Sequence, residues 1–110
     1  MKLCELCELK VIEKEFFRNK DFIVMSCMSC KIPMVVPFKH IDPKSKNHEN
    51  LRKRMEEKLT QVAKAFYNNN RFFIDKQENK VPLHMHWHAR KINRKNLRLL
   101  MRNFIKNLSL

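Results

Sequence analysis

The sequence predicts an α+β domain built on an antiparallel sheet of five strands. Two observations carry this. Short β-rich apolar runs are separated by polar turns. Helical periodicity occurs twice, once between the third and fourth runs and once at the C-terminal end. A meander of strands interrupted by a helix reads as α+β rather than as alternating βαβ units. At 110 residues and 13.4 kDa the chain is sized for a single domain over residues 1–110.

In chain order, "CELCELKVIEK" opens either as a short helix or as a metal knuckle leading into a strand. "EFFRNKDFIVMS" gives two strands around the turn Arg18-Asn19-Lys20-Asp21, and "KIPMVVPF" a third, with Pro33 and Pro37 confined to its start and end. "KHIDPKSKNHEN" is a polar connection with helix-start chemistry, in which His48 receives no role. Leu51, Met55, Leu59, Val62, Ala63 and Phe66 then fall at helical spacing over 50–68. "NNN" at 68–70 ends that helix, because asparagine tolerates the left-handed conformation that glycine would otherwise supply. "RFFIDKQ" is the fourth strand and "VPLHMHWHAR" the fifth. From Ile92 the tail reads as a second amphipathic helix, Leu97, Leu100, Met101, Phe104, Ile105 and Leu108 on one face. Lys91, Arg94, Lys95, Arg98, Arg102 and Lys106 make residues 90–110 a basic helix, suited to packing on the sheet, to RNA or to a homodimer contact.

Composition narrows function. The chain has 24 Lys and Arg against 11 Asp and Glu, a formal net charge of +13, which favours anionic partners such as nucleic acid, nucleotides or a membrane surface. It has no glycine, which excludes the P-loop and Rossmann fingerprints, since both need glycine where backbone meets phosphate. No apolar run is long enough to span a membrane. The opening "MKLCELCELK" lacks the apolar centre of a secretory signal, so a cytoplasmic location with reduced thiols is expected.

Three of the five histidines lie in "LHMHWHAR". On a strand His84, His86 and His88 share one face, and Met85, Trp87 and Ala89 share the other, free to pack under a helix. Core packing does not select imidazole repeatedly on one face. Such a row suits metal binding, or nucleophilic catalysis in which one imidazole attacks and its neighbours orient it and handle charge.

The run "HMHWHAR" resembles the signature of the histidine triad superfamily of nucleotide hydrolases and transferases, with Arg90 in place of the last apolar residue. "MVVPFKH" at 34–40 is similar to that family's strand ending in Pro-Lys-x-His, with Pro37 and His40 matched and Phe38 in place of the lysine. Cys4-x-x-Cys7 is similar to the N-terminal cysteine pair of its zinc-containing branch. The resemblance covers residues 4–90. It implies that His86 is the nucleophile towards the α-phosphorus of a nucleotidyl substrate. It implies further that His88 contacts phosphate or assists the leaving group, that His84 supports the nucleophile or binds zinc, and that His40 lies at the substrate or metal site. The family's Gly-Gln-Ser/Thr segment before the triad reads Asn79-Lys80-Val81 here, where Lys80 offers a point charge to the substrate but no hydroxyl or amide contact.

Cys4-x2-Cys7 and Cys27-x2-Cys30 are separated by 19 residues. Paired Cys-x-x-Cys units in a reducing compartment signal zinc. The intervening hairpin would bring the two knuckles of segment 1–30 around one structural ion, held by Cys4, Cys7, Cys27 and Cys30. The family resemblance implies a different set, Cys4, Cys7, His40 and His84. The leading expectation is a nucleotide hydrolase or nucleotidyl transferase. The alternative is a zinc-stabilised nucleic-acid-binding module using Phe72, Phe73 and Trp87. A third is a hydrolase whose zinc sits on the three triad histidines.

Overall fold

The structure, a computed structural model, describes residues 14–27, 31–41, 47–76, 84–93 and 101. The strands are β1 (Glu15–Arg18), β2 (Phe22–Ser26), β3 (Pro33–Pro37), β4 (Phe72–Asp75) and β5 (Trp87–Lys91), and the helix α1 (Glu49–Phe66) lies between β3 and β4. They form one five-stranded sheet in the order β1-β2-β3-β5-β4, antiparallel at every pairing. The expected α+β class and the position of the long helix agree with this. The expected tail helix lies outside the described residues except for Met101, which is helical and exposed. The opening segment through Glu13 also lies outside them.

Turn chemistry explains the hairpins. Asn19 Oδ1 accepts from the backbone N–H of both Asp21 and Phe22 at 2.8 Å, so an asparagine side chain closes the β1–β2 turn. With no glycine in the chain, left-handed positions fall on Lys31, His48, Asn68 and Asn69. Asn68 and Asn69 terminate α1 as their residue type predicts. The other helix end departs from expectation. Its N-cap is His48, left-handed and without a side-chain cap bond, although capping normally draws on Ser, Thr, Asp or Asn. Arg52 instead donates to the carbonyl of Asn47 at 3.1 Å.

Met55, Leu59 and Ala63, four residues apart, are fully buried and form the ridge that α1 lays on the sheet. They meet Phe22, Val24, Val35, Met85, Trp87 and Ala89. The alternate residues Ile23, Met25, Met34 and Val36 are buried on the opposite face. The central strands β2 and β3 are thus covered on both faces, which accounts for their unbroken apolar runs.

The fifth strand is shorter at its start than the sequence implies. It begins at Trp87, and His84 to His86 precede it. The cause is tertiary: the N–H of Met85 donates to the carbonyl of Ile41 at 2.9 Å, and the His84 ring bonds the carbonyl of Pro37, so those residues bond at and just past the end of β3 rather than along it.

Leu59→Ala removes the centre of the helical ridge and should cost about 2–5 kcal/mol in urea denaturation. Lys53→Ala, on the exposed face, should stay within about 0.5 kcal/mol of the parent.

Candidate functional site

Strand alternation carries His88 to the face opposite α1. Trp87 and Ala89 point into the helix-side core. His88 pairs with Met34 of β3 on one side and with Asp75 of β4 on the other, so it shares the far face with both. All three triad histidines are buried: His84 is fully enclosed, His86 is 5% exposed and His88 8%.

They are arranged as two ring contacts, not one cluster. His84 lies edge-on to His40, centroids 4.8 Å apart, and His86 lies edge-on to His88 at 5.5 Å. His84 Nε2 is 3.0 Å from the carbonyl oxygen of Pro37, and His86 Nδ1 is 2.9 Å from the carbonyl oxygen of His84. A carbonyl only accepts, so each of those nitrogens carries the proton. The opposite nitrogen, Nδ1 of His84 and Nε2 of His86, then holds the lone pair.

Burial pushes the His84 imidazole below its ordinary value of 6.5, and nearby His40 adds to this against the bond to Pro37. Burial also lowers His86, with His88 and His84 adding to it; the bond to the His84 carbonyl and the Cys27 thiol act the other way. Both rings are therefore neutral at pH 7. His88 Nδ1 is buried without a hydrogen-bond partner among the described residues. Such an atom ordinarily finds a partner in protein, water or ligand.

Other expected site residues divide sharply. His40 lies edge-on beside His84. Cys27 lies on the triad face just past β2, its N–H donating to the carbonyl of Ile32 at 2.8 Å. Cys4, Cys7, Cys30 and Lys80 lie outside the described residues. Among the described residues no three His, Cys, Asp or Glu side chains are grouped to hold a metal. The proposed stacking aromatics are also engaged: Trp87 is 3% exposed in the core, and Phe72 stacks on Tyr67. No helix of the described residues is long and apolar enough to cross a membrane.

Two residues were missed by sequence reasoning. Asp75 is 1% exposed, and Arg90 Nε donates to its Oδ2 at 2.8 Å. The available signal was an acid at an inward position of the apolar run "FFID", with an arginine in the strand expected beside it. Comparison with protein families, with curated proteins and with solved structures returned no match.

The lowered values set the sign of a pH effect. A histidine whose folded value lies below 6.5 binds a proton more readily when unfolded. Its contribution to stability is complete above pH 6.5 and is lost as pH falls towards and through the folded value. Urea midpoints should therefore drop between about pH 7.5 and 5, and His86→Asn should flatten that slope.

Proposed function

We propose that the chain is a nucleotide hydrolase or nucleotidyl transferase in which His86 Nε2 attacks the α-phosphorus of its substrate. The observation that carries this reading is the bond from His86 Nδ1 to the His84 carbonyl. It selects the tautomer with the lone pair on Nε2, while burial keeps the ring unprotonated, the two conditions an attacking imidazole needs. In the transfer step an Nε2–P bond forms and the P–O or P–N bond to the leaving group breaks. Water then attacks phosphorus, the N–P bond breaks with its electron pair returning to Nε2, and the water proton passes to solvent. His88, 5.5 Å from His86 ring to ring, is placed to meet a phosphate oxygen or the leaving atom.

Zinc belongs to the same reading as a structural ion. The two donor sets share Cys4 and Cys7; of the others, Cys27 bonds Ile32 at the start of β3, and His40 follows its end. The contact between His40 and His84, with His84 Nδ1 holding a lone pair, favours the set Cys4, Cys7, His40 and His84. Imidazole nitrogen and thiolate are ordinary zinc donors. The bound ion would contribute folding free energy.

His86→Ala should lower release of nucleoside monophosphate on the order of 10⁴-fold or more. His88→Ala should lower it on the order of 10²-fold. Assays would use adenosine phosphoramidate, adenylated lysine and diadenosine polyphosphates as substrates. A folded, zinc-loaded chain that cleaves none of them would refute the reading.

Elemental analysis of the purified chain should find about one zinc per chain. His40→Ala should release it, whereas Cys27→Ser should retain it; the reverse result would place the ion at the other end of β3.

A further inference from the structure

Beyond His88 the triad face continues to a residue the histidine row does not account for. Period two places Arg90 on the same face of β5 as His88, about 6–7 Å further along the strand. Arg90 pairs across the sheet with Phe73, but its side chain does not stay at that level. It bonds Asp75, and Asp75 is the residue directly opposite His88. The guanidinium is therefore drawn back along the strand to the level of His88.

Three properties of this pair point to an anion. Asp75 is almost wholly buried, so the carboxylate holds the guanidinium in one place rather than trailing it in solvent. The Arg90 side chain is 19% exposed, so it is not wholly closed off from solvent. A guanidinium also offers more N–H donors than one carboxylate accepts, leaving donors for a second acceptor. Directly opposite Asp75, His88 has its buried Nδ1 without a hydrogen-bond partner among the described residues. With the proton on Nδ1, that ring and the guanidinium can both donate to one phosphate group.

We infer that Arg90, held in place by Asp75, binds a phosphate of the leaving group, and that the substrate class is therefore nucleotidyl compounds whose leaving group is itself a phosphate ester or polyphosphate. This rests on His86 as the nucleophile. The guanidinium lies at the level of His88, whose ring is 5.5 Å from that of His86, which suits a phosphate beyond the one attacked. The P–O bond to that phosphate breaks, its electron pair departs on the leaving oxygen, and Arg90 meets the charge that develops there, so the leaving group needs no proton. Asp75 is a positioning residue that acts through Arg90.

The test compares the zinc-loaded parent chain with Arg90→Lys, Arg90→Met and Asp75→Asn. Arg90→Lys keeps a cation for Asp75 and so keeps the fold, but loses the planar fork. Intact folding is checked by the near-ultraviolet signal of buried Trp87. Two readouts are taken: kcat/KM on diadenosine triphosphate against adenosine phosphoramidate, and calorimetric binding of tripolyphosphate at fixed ionic strength. The expected result for Arg90→Lys is a loss on diadenosine triphosphate about tenfold or more greater than on phosphoramidate, with a matching loss of tripolyphosphate affinity. Asp75→Asn should raise KM for diadenosine triphosphate more than it lowers kcat. Equal losses on both substrates, or tripolyphosphate binding that ignores Arg90, would overturn the inference. If the parent cleaves neither substrate, the nucleophile reading fails by itself. Tripolyphosphate binding that needs Arg90 then upholds the anion site, and binding that does not, or no binding to the parent, overturns it.

Discussion

The residues Met85, Trp87 and Ala89 are held beneath the Met55, Leu59 and Ala63 ridge of α1, and from that contact the site follows. A strand has two faces and its side chains alternate between them, so enclosing one set dictates the position of the other. Each buried large apolar side chain contributes about 1.5–3 kcal/mol. A register slip by one residue would forfeit that contribution for the whole set and place imidazoles against the helix. The side chains on the far face are thus positioned by a core packed on the other side of the sheet. Tyr67 reinforces this from the helix end, its hydroxyl donating to the carbonyl of Ala89 at 2.7 Å.

On the far face the polar groups are few and nearly enclosed. In low dielectric each bond is stronger and each missing partner more costly than at the surface. His84 and His86 meet this by binding main-chain carbonyls, which neither titrate nor rotate away. Asp75 and Arg90 meet it as an ion pair, where deleting one partner leaves a buried charge and costs about 3–5 kcal/mol. By contrast the exposed pairs Arg18–Glu15 and Lys76–Glu56 sit in solvent, where such contacts are worth little.

Much of this architecture was legible from residue spacing. The helix and the five strands follow from hydrophobic period and turn residues, and the asparagine run marks where α1 ends, because these are local effects. The histidine row was legible as a one-faced feature for the same reason. What spacing could not convey was pairing between strands. That Asp75 stands opposite His88 depends on how β4 and β5 are registered, so an acid that looked incidental in "FFID" acquires a partner only in three dimensions. The shortened start of β5 was hidden similarly, since the carbonyls of Pro37 and Ile41 that capture His84 and Met85 lie more than forty residues earlier in the chain. His48 as a left-handed N-cap contradicts capping preference, and nothing local announces it.

His84 serves the site twice: its ring is tied to Pro37 and lies against His40, and its carbonyl holds the ring of His86. The peptide after it is tied to Ile41. The orientation of the His86 ring is thereby set by the short segment that leaves β3. That segment lies outside the strand ladder of the sheet, so a local opening there is a smaller event than melting the domain. A chain built this way has a built-in fuse: warming or mild denaturant would slacken the backstop, and the imidazole would lose its direction while the sheet and helix remained intact.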